Sequence, residues 1–227
     1  PPMLPRFAFG NWWSRYHAYT DREYLHLMDR FAAADIPLTV ATLDTDWHYS
    51  SHLDEEKGIT ASGKNTADRG CLETPENRRI GWTGYSWNRN LFPDPHAFLQ
   101  ALHRRGLRVT LNLHPASGVR YYEDAYPAMA EAMGTDPRTE AVIPFDVSSK
   151  RFLEAYFRIL HHPLEQDGVD FWWIDWQQGT ASAKDGLDPL WALNHFHYLD
   201  HAARHRHPLI MSRYAGIGSH RYPIGFS

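Results

Sequence analysis

Apolar positions along this chain follow two rhythms that alternate, and each predicts a different element. Phe7 to Trp13 is an apolar run after Pro5 and predicts a first strand. Thr20-Asp-Arg-Glu23 then reads as a capping box, and Tyr24, Leu27, Met28 and Phe31 recur at helical spacing behind it. Pro37 stops that turn, and the β-branched run Leu38 to Asp44 predicts a second strand ending in acid. Asp94-Pro95 is an N-cap with proline in the first helical position; Phe98, Leu99 and Leu102 form the buried stripe, Gly106 closes the helix, and Leu107 to Leu113 predicts the third strand. A helix from about Ser149 to His162 carries Phe152, Tyr156, Ile159 and Leu160 on one side, with Pro163 as its predicted stop. The run from Gly168 into Asp175 is the fourth strand. Asp188-Pro189 opens another helix through roughly Arg204, Pro208 to Arg213 is the fifth strand, and Ile224 begins a sixth.

Strands alternating with helical patterns predict parallel βαβ units and an α/β fold. The polar residues that end the strands are Asp44 and Asp46, Asn112 and His114, Asp175, and Arg213. Functional groups gathered at strand C-termini are the mark of a (β/α)8 TIM barrel, whereas a doubly wound sheet offers only a crevice there. A full barrel takes about 250 residues and eight strands. Five to six of its eight units are legible in these 227 residues, with long loops at about 45–93 and 114–147, so the barrel is expected to be incomplete. The whole of 1–227 reads as one partial barrel. The chain opens on Pro1-Pro2-Met3 and stops at Ser227 inside strand-like sequence, which reads as a piece of a longer polypeptide whose remaining domains are partners of this one.

A hydrophobic content of 43% is enough for a sizeable core, and nine tryptophans suit stacking on sugars as well as packing. The net charge of −4, with no basic stripe, gives no footprint for nucleic acid. No stretch approaches the roughly 20 apolar residues of a membrane-spanning helix. The lone Cys71 excludes an internal disulfide framework and fits a reducing compartment such as the cytoplasm.

The chemistry concentrates in Gly168-Val-Asp-Phe-Trp-Trp-Ile-Asp-Trp-Gln-Gln-Gly179, where an apolar strand runs straight into a carboxylate, Asp175. Trp172, Trp173 and Trp176 give that acid aromatic walls, the usual lining of a sugar site; the plainer alternative is an aspartate that only caps the next helix. Retaining glycoside hydrolysis needs two carboxylates about 5–5.5 Å apart. Asp175 is the nucleophile candidate, and Asp44 and Asp46 are the acids within the chain that can face it. The paired histidines His161-His162, His195-Phe-His197 and His205-Arg-His207 lack a carboxylate or thiolate set beside them, so they read as solvated helix faces and caps, and no metal is expected. Trp82 and Trp87 of the Gly81–Asn88 loop suit packing and stacking equally. Arg120, Tyr121 and Tyr122 read as surface packing, Glu73 and Glu76 as solvated acids.

Three segments carry a family resemblance. Trp172-Trp173-Ile174-Asp175-Trp176 resembles the nucleophile motif of glycoside hydrolase family 31, the retaining α-glycosidases, and Leu43-Asp44-Thr45-Asp46-Trp47 resembles that family's second-strand motif. Ser212-Arg213 through Ser227 is similar to the segment leading into its acid/base aspartate. The resemblance implies Asp175 as nucleophile, Asp44 hydrogen-bonded to hydroxyls of the non-reducing-end sugar, and Arg213 contacting sugar hydroxyls and the catalytic carboxylates. It implies Trp13 and Trp173 as pocket walls, Trp176 and His114 at the substrate, and Asp46 as a neighbouring acid in a more structural role. It implies no metal or organic cofactor, and an α-linked oligosaccharide or glycoside as substrate. The family's acid/base follows a Ser/Thr-Gly pair of which Ser227 is the first residue, so the 227 residues alone are expected to turn over hardly any sugar. The chain departs from many members at Trp176-Gln177-Gln178 and at His114, where an acid commonly precedes the proline. These departures leave glucose, xylose, galactose and N-acetylgalactosamine all open. A transglycosylase with the same nucleophile, or a non-catalytic sugar-binding barrel, would carry the same motifs.

Overall fold

The structure is a computed structural model that describes residues 3–49, 83–175, 182–213, 218–222 and 224–225. The readings made above for Cys71, Glu73, Glu76, Trp82, Trp176 and Gln177 fall outside the described residues.

Six parallel strands form one sheet in chain order: β1 (Trp12–Trp13), β2 (Val40–Leu43), β3 (Arg108–Leu113), β4 (Phe171–Ile174), β5 (Ile210–Ser212) and β6 (Ile224–Gly225). The order never reverses, which is barrel winding; a doubly wound sheet turns back at its switch point. The helices are α1 (Asp21–Ala33), α2 (Pro95–Arg104), α3 (Tyr126–Met133), α4 (Lys150–Ala155), α5 (His162–Asp167) and α6 (Pro189–Arg204), with a π-helical turn at Tyr156–His161 between α4 and α5. The chain is a partial TIM barrel.

Caps set the helix starts as the sequence predicts. The Thr20 hydroxyl accepts from the Glu23 amide while the Glu23 carboxylate accepts from the Thr20 amide, so two otherwise orphaned donors are satisfied reciprocally. Asp94 accepts from Ala97 N–H at 3.0 Å and Asp188 from Trp191 N–H at 2.7 Å, each just ahead of a proline.

Alternation along the strands divides the core in two. Toward the helices, Ala41, Leu43, Val109, Leu111, Leu113 and Trp172 pack with Phe98, Leu99 and Leu102 of α2. Toward the barrel axis, Val40, Phe171 and Leu209 pack with Trp12 and Met211. At the N-terminal end of β4 the Asp170 carboxylate accepts from Val109 N–H, Arg108 Nη1 and His103 Nε2, each at 2.8 Å. That anchor sits five residues before Asp175, at the opposite end of the strand, where barrel residues serve stability.

Three expectations change. The first predicted strand is mostly a 3₁₀ turn, Arg6–Phe9, with only Trp12–Trp13 paired. Thr39 causes the break: its hydroxyl donates to the Phe7 carbonyl at 2.8 Å, and it packs so closely on Gly10 that a Cβ there would lie 2.2 Å from its side chain. The helix expected to stop at Pro163 runs on to Asp167. The π turn shifts the hydrogen-bond ladder, with His162 N–H bonded to the Phe157 carbonyl, so Pro163 falls in the opening turn of α5, where a missing N–H costs little. His161 and His197 are buried rather than solvated, and His201 is buried as well.

The long 114–147 segment carries its own structure: α3 and an antiparallel bridge between Val119 and Ile143. Trp87 is packed, with its ring 5.2 Å from Trp47 and 5.3 Å from Phe92. Arg120 and Tyr122 are buried, with Tyr121 packed on Tyr122 at 5.6 Å. Among the described residues, no helix is long and apolar enough to cross a membrane.

Candidate active site

The C-terminal ends of β2, β3, β4 and β5 bring the predicted polar residues together. Register explains why: Asn112 pairs with Trp173 and Leu113 with Ile174, so the next residues of the two strands, His114 and Asp175, come level. Leu113 also accepts the Asp175 amide at 3.1 Å, which fixes the backbone from which the carboxylate projects. Asp175 is only 4% exposed. Burying a carboxylate is costly unless it is hydrogen-bonded or paired, and three side chains meet that need. Asn112 Nδ2 donates to Asp175 Oδ2 at 3.0 Å, His114 Nε2 lies 3.3 Å from the same oxygen, and Arg213 Nη1 lies 3.7 Å from Oδ1.

Asp44 follows β2 and opens a 3₁₀ turn, Thr45–Trp47, whose first amide it accepts at 2.8 Å. Burial raises the Asp44 carboxyl above the ordinary carboxylate range. The Thr45 amide and hydroxyl pull it back, the Asp175 charge raises it further and His114 lowers it. The two acids therefore sense each other across the rim, with His114 acting electrostatically on both. Asp46 is half-buried in the same turn. Asp44 and Asp46 line a small cavity of about 10 Å³ with Arg15, His17 and Tyr19. The exposed Tyr16 has its phenol pKa raised by burial first, then by the Asp46 and Asp44 charges, so this β1–α1 segment borders the acids.

The tryptophans divide by strand alternation. Trp173 is two residues before Asp175 and shares its side of the sheet, buried beneath the acid. Trp172 points the other way: its indole donates to Glu165 Oε1 at 2.8 Å and meets the His161 ring at 4.7 Å, so it is part of the helix-side core and not an aromatic wall. The structure does not bring Trp13 into the group. Its ring stacks on Phe31 of α1 at 4.9 Å within the helix-side cluster, because alternation along β1 sends Trp12 inward instead. Trp176 lies outside the described residues.

Asn112 is the site residue that motif reasoning left unassigned. The signal was present, as it stands two residues before His114 on one strand and therefore on the same face. Among the described residues no group of three or more His, Cys, Asp or Glu side chains is placed to hold a metal ion.

A parallel βα barrel with acids gathered on its C-terminal rim is the architecture of a catalytic TIM barrel. The family model described as "Glycosyl hydrolases family 31 TIM-barrel domain" matches residues 1–227, and the chain belongs to that family. A curated relative, an alpha-xylosidase of Saccharolobus solfataricus, is 21% identical over 176 residues, which is 77% of this chain and 19% of the relative. A xylosidase from Aspergillus niger superposes with a TM-score of 0.66 at 15% identity over 99% of this chain and 33% of that one. A family-31 dextranase of Flavobacterium johnsoniae, complexed with isomaltotriose, does so with a TM-score of 0.65 at 16% identity over 100% and 28%. The chain thus spans about a fifth of the curated relative and roughly a third or less of these solved chains.

Proposed function

We propose that the protein carrying this chain is a retaining, exo-acting α-glycosidase with Asp175 as its nucleophile. One observation supports the reading most: a buried carboxylate at the C-terminal end of a central strand, held by Asn112, His114 and Arg213, with Asp44 as a second acid beside it. In the first step an Asp175 oxygen bonds to the anomeric carbon as the bond to the leaving oxygen breaks, and that oxygen takes a proton from the acid/base group. In the second, the same group takes a proton from water, the water oxygen bonds to the anomeric carbon, and Asp175 is released. The chain spans only a fifth to a third of the relatives it matches, so turnover is proposed for the whole protein that carries it. The chain's own residues carry the whole of the nucleophilic half, and no cofactor enters. The relatives named as an alpha-xylosidase, a xylosidase and a dextranase favour α-linked pentose or glucose units as the substrate class.

The test is covalent. Incubating the intact protein with mechanism-based α-xylosyl and α-glucosyl fluorosugars, then mapping the modified peptide, is expected to place one glycosyl group on Asp175; a label on any other residue overturns the reading. Asp44, assigned to bind sugar hydroxyls, gives a kinetic check. Asp44→Asn is expected to raise KM and lower kcat together, with kcat/KM down roughly 10- to 10²-fold, the value of one charge-assisted hydrogen bond. Unchanged kinetics remove Asp44 from the sugar pocket.

A further inference from the structure

Two side chains converge on one oxygen of Asp175. Oδ2 accepts from Asn112 Nδ2 at 3.0 Å and has His114 Nε2 at 3.3 Å, whereas Oδ1 faces Arg213 Nη1 at 3.7 Å, a charge contact longer than a hydrogen bond. Asn112 is itself held by its surroundings. It is fully buried, its carbonyl accepts from Trp47 Nε1 at 2.8 Å, and its side-chain Oδ1 lies 3.5 Å from the Thr45 hydroxyl. The Asp175 carboxylate sets the amide orientation: turned over, the oxygen of Asn112 would face a carboxylate oxygen. The Thr45 hydroxyl lies closer to Asp44 Oδ1, at 3.2 Å, so its one proton is shared between that carboxylate and Asn112.

We propose that Asn112 is a positioning residue that holds Oδ2 of Asp175 and so orients the carboxylate for attack on the anomeric carbon. The proposal rests on the reading of Asp175 as nucleophile. Its physical content is twofold. A carboxylate anchored through one oxygen cannot rotate, and misplacement of a reacting atom by about 1 Å costs on the order of 10²-fold in rate. A donor to the ionised form also keeps the acid ionised. Among the described residues, the charged and titratable groups placed against Asp175 include His114 from β3, Arg213 from β5 and Asp44 from β2, and all three remain in an Asn112 variant.

The experiment uses the intact protein and an activated aryl α-glycoside. Asn112→Ala is expected to lower kcat about 10²-fold with a much smaller change in KM. It should also move the acidic limb of the kcat/KM profile upward by about one pH unit, the worth of one hydrogen bond to a charged group. Asn112→Ser, which cannot span to Asp175 but leaves a polar group able to hold a water in the vacated space, is expected to move the same limb in the same direction by less. If Asn112→Ala fails to fold, Asn112→Ser decides. An acidic limb that stays put in a folded variant, with the fluorosugar label still on Asp175, overturns the positioning role and leaves the nucleophile standing. A wild-type label on another residue overturns both.

Discussion

Replacing Asp175 by alanine in the protein that carries this chain is expected to cut turnover of an aryl α-glycoside by on the order of 10⁴- to 10⁶-fold, the range seen when an enzyme loses its nucleophile. No neighbour can substitute. Asn112, His114 and Arg213 are donors aimed at the acid, and Asp44 is already committed to the Thr45 amide and hydroxyl. The variant should still fold, because the Asp175 backbone is fixed by its own amide bond to Leu113 and the strand registers do not involve the side chain. Removing the carboxylate unpairs Asn112 Nδ2, at a cost of about 1–3 kcal/mol. It also removes a charge that raises the Asp44 carboxyl, so part of the cost is offset. The vacated space should admit a small anion. Azide is expected to restore turnover of an activated α-glycoside and to yield the glycosyl azide of inverted configuration, since it attacks from the face the carboxylate occupied. Residual activity within tenfold of the parent shows that another group is the nucleophile.

Much of this site could be read from the chain because period and chemistry coincide. An apolar run of strand length ending in an acid predicts both β4 and the position of Asp175, and the order of strands follows from the alternation with capped helices. Asp44, His114 and Arg213 were legible for the same reason, each standing one residue past the end of a short strand. What failed did so where one residue decides which side of the sheet a side chain takes. Trp12 and Trp13 are chemically equivalent in sequence, as are Trp172 and Trp173; only strand pairing says which indole faces the axis and which faces α1 or Glu165. Asn112 was named among the polar strand ends but given no role, because an amide carries no catalytic signature of its own. Its importance comes from reaching the Asp175 oxygen 63 positions away in the chain.

The helix from Lys150 to Asp167 shows a second kind of failure. Proline after a helical stripe normally marks an end, but the π turn lets the chain continue through it. The π turn in turn depends on a contact that local sequence does not announce: His161 Nδ1 bonds to the Tyr156 carbonyl at 2.9 Å. The histidine reading failed for His161 and His197, whereas His205 caps its helix and is exposed, as is His207. A histidine in a polar run reads as solvated, yet His161 and His197 lie inside an aromatic cluster with Tyr156, Phe157 and Trp172.

That buried cluster makes the packing of α6 on β4 acid-sensitive. Burial pushes the His161 imidazole down to about 4, lowers His197 well below its ordinary value, and pushes His201 down to about 4. The hydrogen bonds show why the charged forms do not fit. His201 must accept from Leu209 N–H at Nδ1 (3.1 Å), so it is the neutral tautomer that donates from Nε2 to the Asp170 carbonyl at 3.0 Å; a proton on Nδ1 would face an N–H. His161 donates from Nδ1 to a carbonyl, and its buried Nε2 has no acceptor to receive a second proton. All three groups have folded pKa values below the unfolded value, about 6.5. Their stabilising contribution is therefore fully present above pH 6.5 and is lost as pH falls toward 4, because the unfolded chain binds protons that the folded one excludes. Each histidine contributes a slope of up to about 1.4 kcal/mol per pH unit inside that window. Between pH 6.5 and 5 the ordinary carboxylates are still ionised, so the histidines dominate there. Hydrogen exchange of the α6 and β4 amides, followed from pH 7.5 to 5, is expected to show protection falling in that window while the Asp170-anchored β3 amides lose less. His197→Phe, which matches the ring-lined site but orphans the Tyr156 hydroxyl that lies 3.0 Å from His197 Nε2, should start about 1–3 kcal/mol less stable at pH 7.5. Its protection should then fall less steeply with acid. An unchanged slope in that variant shows that His197 is not a source of the acid sensitivity.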